Sequence, residues 1–122
     1  NGTLGRAKHF GKRTGSKHEY MRVFILEQCN VDVTPAEEYG EIVYVFSGTR
    51  PSIWSVGFSE AFVAKLRELA FDANKDCFLV AGPQVNATMA LAALIKEYSS
   101  PRLLLWNAVK KHYTIWSIPH AA

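Results

Sequence analysis

Two loops in this sequence carry side chains suited to holding an anion. The first is Ser47-Gly48-Thr49-Arg50, which follows the β-branched and aromatic run Ile42 to Phe46. A guanidinium there can pair bidentately with a phosphate, and hydroxyls from Ser47 and Thr49 can add donors. The second is Gly82-Pro83-Gln84-Val85-Asn86-Ala87-Thr88, between the apolar run Cys77 to Ala81 and a long apolar helical segment. Ligands of open α/β sheets sit outside the carboxyl ends of strands, near helix N-termini. If the two loops converge, Ser47, Thr49, Arg50, Gly82, Gln84, Asn86 and Thr88 form one pocket, with Trp54 as a wall on which a base could stack. The plainer readings are a polar loop bearing a surface arginine and a capped helix start. There is no Gly-x-Gly-x-x-Gly and no P-loop lysine, and Pro83 removes one amide.

A third cluster is Asn107, Lys110, Lys111 and His112, where His112 could act as acid or base in phosphodiester chemistry. No carboxylate stands at a fixed spacing from it, and a basic hairpin turn is the plainer reading. Adjacent Glu37 and Glu38 point about 100° apart on a helix and do not converge on a metal. His9, His18, His112 and His120 lack metal-ligand spacing. The sequence therefore implies neither a metal nor a cofactor. Cys29 and Cys77 are too few for a disulfide framework, which fits a reducing, cytoplasmic setting.

The elements that must position these residues follow from apolar patterning. Strands are expected at 22–26, 42–46, 77–81, 103–107 and 112–118, with a helical turn near Thr34-Pro35. A helix over 60–71, capped by Ser59, presents Phe62, Val63, Leu66, Leu69 and Ala70 on one face. A second helix over 84–98 is apolar nearly all round, which predicts burial on every side. In so small a chain that implies a second copy covering part of it, hence a homodimer through this helix or the last hairpin. The sum is a small α/β, Rossmann-like domain. About five strands form a mostly parallel sheet with two main helices and a C-terminal β-hairpin.

The chain has 122 residues and a formal net charge of +3. Five of its fourteen Lys and Arg residues (Arg6, Lys8, Lys12, Arg13, Lys17) lie in residues 1–20 beside a single acid, Glu19. Residues 21–122 keep nine basic and ten acidic side chains, so the basicity belongs to the tail. That tail reads as a flexible basic arm or a leader, followed by one domain over 21–122. As an arm it could bind nucleic acid. No apolar run approaches the length of a membrane span, and no signal peptide is visible.

Tyr39-Gly40 before strand 2, Gly82-Pro83 after strand 3, and Leu103-Leu104-Leu105-Trp106-Asn107 followed by Tyr113 resemble small α/β proteins of tailed bacteriophages. The resemblance spans residues 21–118 and implies a phage origin without an activity. The topology is also loosely similar to nucleotide-sensing Rossmann-like domains of CRISPR systems, an analogy of fold alone. Together these readings favour a non-enzymatic homodimeric accessory module binding a host macromolecule or nucleotide. The alternatives are a nucleotide or phosphodiester hydrolase using Arg50, Asn86 and His112, and a nucleic-acid binder working through the arm.

Overall fold

A computed structural model describes residues 20–117. Five strands form one sheet in the order β2-β1-β3-β4-β5: β1 (Arg22–Glu27), β2 (Glu41–Phe46), β3 (Cys77–Leu79), β4 (Arg102–Asn107) and β5 (His112–Ser117). The first four run parallel, and β5 returns antiparallel to β4. The expected mostly parallel sheet with a C-terminal hairpin is therefore present. Strand 3 is shorter than expected: the Val80 amide still donates to the Leu104 carbonyl at 3.3 Å, and Ala81 leaves before the turn at Gly82.

The two directions of travel across the sheet decide the layering. From β1 the chain steps outward to β2, then crosses back past β1 to β3 and on to β4. Crossovers of the same hand that move in opposite directions must lie on opposite faces. Helices α1 (Phe58–Glu68) and α2 (Gln84–Glu97) accordingly share one face, where Phe58, Phe62, Leu66, Ala90 and Leu94 pack on Phe24, Phe78 and Leu103. The β1–β2 connection lies on the other face, as a 3-10 turn over Thr34–Glu38 whose Ala36 packs with Val23, Ile25, Leu79, Leu104 and Tyr113. One face thus carries a full helical layer, and the other a single turn.

Helix α1 begins and ends earlier than its apolar pattern suggests. It starts at Phe58, so Ser59 lies inside it and Gly57 is the capping position. At its far end the Phe71 amide donates to the Leu66 carbonyl at 2.9 Å and the Ala70 amide to Arg67 at 3.0 Å. Ala70 has φ +60°. This is a Schellman motif built on alanine, without the glycine that usually marks one. Helix α2 departs differently. Ala90, Ala93 and Leu94 are buried, but Val85, Met89 and Ile95 are 43, 36 and 39% exposed. Within one chain its outer side is therefore open, because no described residue is layered outside it.

The amino end of the sheet is held by Asp76, the one buried charged side chain among the described residues. Its Oδ1 accepts the Arg22 amide at 3.0 Å, and its Oδ2 accepts the Asp72 amide at 2.9 Å. The Arg22 guanidinium lies 3.4 Å from the same carboxylate and donates to the Ala70 carbonyl at 2.7 Å. Strand β1, the end of α1 and the start of β3 thus meet on one group. Gly40 allows a second close approach, since a Cβ there would stand 2.0 Å from the Met21 carbonyl oxygen. Replacing Asp76 with alanine strands the Arg22 and Asp72 amides and a guanidinium, and is expected to cost about 3–5 kcal/mol. Urea unfolding of the two proteins measures this.

Candidate functional site

The strand order reverses between β1 and β3, so the loops leaving their carboxyl ends part and open a crevice. Gly82 makes this geometry, with φ +101° turning the chain from β3 toward α2. Pro83 is the N-cap of α2, and Gly82 immediately precedes it. The loop after β1 returns over the other side of the crevice through Val31, Asp32 and Pro35.

The first of the two loops singled out in the sequence closes on a side chain of the protein itself. Glu27 ends β1. Arg50 Nε donates to Glu27 Oε1 at 2.6 Å, and Arg50 Nη2 to Oε2 at 3.0 Å, a bidentate fork. Arg50 Nη1 donates to the Pro51 carbonyl, and the guanidinium lies over the Phe58 ring at 5.7 Å. The Asn86 side chain, in the first turn of α2, lies near the same carboxylate and adds a smaller lowering of its pKa. The Arg50 hydrogen bonds hold the Glu27 carboxyl below its ordinary 4.5, against the opposing effect of partial burial. A carboxylate therefore stands on the guanidinium where a phosphate was expected.

The other predicted side chains spread out around this pair. Ser47 and Gly48 border a polar hollow of about 260 Å³ with Glu27, Gln28, Tyr44 and Phe46. Thr49, Gln84 and Thr88 are exposed. Trp54 is 78% exposed, and its amide is held by Ser52 Oγ at 3.1 Å. It lines neither this hollow nor the apolar cleft described next. His112 opens β5, at the opposite edge of the sheet from the Arg50 loop that follows β2. Four strand spacings separate those edges, about 19 Å, so Arg50, Asn86 and His112 do not share a cleft. Asn107 is spent on the turn: its Oδ1 accepts the Val109 and Lys110 amides at 3.1 and 3.0 Å. The arm residues Arg6, Lys8, Lys12, Arg13 and Lys17 lie outside the described residues.

The larger concavity lies on the other side of the crevice. A cleft of about 430 Å³ opens at the carboxyl ends of β3 and β4, walled by Val31, Pro35, Val80 and Ala81. Its remaining lining is two rings, Trp106 and Tyr113, and one carboxylate, Asp32. Trp106 is 48% exposed and meets Tyr113 edge to face, with centroids 5.1 Å apart and planes at 71°. The Tyr39 hydroxyl donates to the Tyr113 carbonyl at 2.6 Å and ties the 3-10 turn to β5. Burial raises the Tyr113 hydroxyl above its ordinary 10.0, and the nearby Asp32 and Cys29 charges add to the shift. Trp106 is not among the candidate site residues of the sequence. The signal available was its position at the end of a parallel strand, where a half-exposed indole borders the crevice.

The family model of the phage Pam3 gp32-like proteins matches residues 21–119. The chain belongs to that family. A search of the curated proteins and a search of the solved structures each return no match. Among the described residues no cluster of His, Cys, Asp and Glu could hold a metal, and no helix is long and apolar enough to cross a membrane.

Two outcomes follow from the site. Because the Glu27 pKa is lowered on folding, its contribution is present above 4.5 and is lost as pH falls through the lower folded value. Urea midpoints measured between about pH 3 and pH 6 should fall more steeply for the wild type than for Glu27→Gln. Burial pushes the Cys77 thiol up to about 12, whereas Cys29 is partly exposed. A thiol-reactive disulfide reagent should titrate Cys29 alone in the native protein, and Cys77 only after denaturation.

Proposed function

We propose that this phage-family protein is a non-enzymatic accessory module that binds a macromolecular partner by seating an apolar or aromatic group in the cleft beside Trp106. The cleft itself carries this reading: it is apolar, lies at the carboxyl ends of the strands and leaves an indole half-exposed. Such concavities are where binding sites concentrate in open α/β sheets. A nucleotide would need a cation for its phosphate. Arg50 is engaged by Glu27, and the charge lining the cleft is the negative Asp32. These facts favour a macromolecular partner over a nucleotide, and binding over hydrolysis.

Homodimerisation is part of the proposal. The outer side of α2 exposes Val85, Met89 and Ile95, and β5 is an edge strand without a lysine, arginine or acid along its length. Both features suit a second copy.

A screen of aromatic fragments by amide and indole NMR shifts tests the cleft. The expected result is a cluster of changes at Val31, Ala81, Trp106 and Tyr113, lost in Trp106→Ala. Shifts confined to residues 47–50 and 84–88, produced by nucleotides and lost in Arg50→Ala, would replace this reading with the nucleotide one. Sedimentation of the intact chain tests the dimer, which a stable monomer at high micromolar concentration would refute.

A further inference from the structure

The geometry points to a charge preference in this cleft: it accepts an organic cation with an apolar flank, supplied by an arginine side chain of a partner protein. This rests on the reading of the cleft as a docking site and names the chemistry it selects. Three observations carry it. Trp106 is half-exposed and stands at 71° to the buried Tyr113 ring, so the indole is the open aromatic wall of a corner. Ring faces attract cations through their quadrupole, and guanidinium groups also stack on them. The charged residue lining the cleft is Asp32, whose Oδ1 is fixed by the Thr34 amide at 3.0 Å. Finally, Val31, Pro35, Val80 and Ala81 supply apolar surface for the methylenes of the side chain.

The surrounding charges agree with this sign on one flank and oppose it on the other. Glu37 and Glu38 follow Asp32 on the 3-10 turn, both exposed. Lys110 and Lys111 sit in the β4–β5 turn, outside the lining of the cleft. The hydrogen bonds from Thr34 lower the Asp32 pKa, so the carboxylate stays charged at neutral pH. Phosphate and carboxylate ligands meet a like charge there, and a neutral apolar group gains nothing from it. Arginine fits better than a compact ammonium because its planar group can lie on the indole while its edge reaches a carboxylate.

The test uses the full chain, labelled with nitrogen-15, and two capped tripeptides, Gly-Arg-Gly and Gly-citrulline-Gly. Citrulline keeps the shape and removes the charge. Saturable shifts of the Trp106 indole and the Ala81 amide are expected with the arginine peptide. Citrulline should bind about fivefold more weakly, as an exposed cation–π contact with a nearby carboxylate implies. Asp32→Asn keeps an acceptor for the Thr34 amide and should narrow the difference to about twofold, the share left to the ring. Trp106→Leu should remove the Ala81 response to both peptides. Equal binding of the two peptides to the wild type, unchanged in Asp32→Asn, would overturn the charge preference and leave the apolar cleft standing. If neither peptide moves the Trp106 indole while aromatic fragments do, the arginine assignment falls alone. If fragments also leave it unmoved, the docking reading falls with it.

Discussion

The Asp76 carboxylate is the constraint on which the rest of the fold depends. A central parallel strand has to be located against a neighbour that arrives some fifty residues later, and no short turn sets that register. Asp76 does so at the amino end, by accepting the first amide of β1 and the amide of Asp72 together. With β1 and β3 fixed there, their side chains align as Val23 with Cys77, Phe24 with Phe78 and Ile25 with Leu79. Phe24 and Phe78 then face the helices, while Val23, Cys77, Ile25 and Leu79 face the 3-10 turn. The crevice at the carboxyl end is the other consequence. Strands pinned at one end and followed by connections on opposite faces must part at the other.

Glu27 and Arg50 show how a site inferred from residue types can be filled from within. The loop after β2 lies where expected, and its Arg50 points toward the end of β1. The sequence reading did not consider that β1 ends in a carboxylate. Read as the terminus of a strand, Glu27 looks like the polar stop of an apolar run. In the fold it is the partner of Arg50. The structural role of that pair is to join the end of β1 to the loop after β2. The open concavity moves to the other side of the crevice, where the lining is apolar.

Most of the architecture was legible because it rests on runs and breaks. Arg22 to Leu26, Ile42 to Phe46 and Leu103 to Asn107 are apolar stretches bounded by turn residues, and the strands follow them within a residue. Gly82-Pro83 fixed the start of α2 for the same reason. The C-terminal end of α1 was not legible, because its left-handed residue is Ala70, and alanine carries no such signal. The all-round apolar composition of α2 says how apolar the helix is, not which layer covers its outer side. The cleft was invisible for a deeper reason. Val31, Ala81, Trp106 and Tyr113 are far apart in the chain, and only the strand order β2-β1-β3-β4-β5 gathers them.

The position of β1 between β2 and β3 also has a consequence during synthesis. Translation releases this strand first, and β2 can pair with one of its sides soon afterwards. Its other side waits for β3, which begins at Cys77. Until then the ribosome displays RVFILE with one row of backbone donors and acceptors unpaired, a short apolar segment of the type that joins strands of other chains. Arg22 and Glu27 bracket it with opposite charges, and each later closes an ion pair, one with Asp76 and one with Arg50. The same two side chains that fasten the finished sheet therefore serve first as gatekeepers, keeping the nascent strand in solution until its second neighbour emerges.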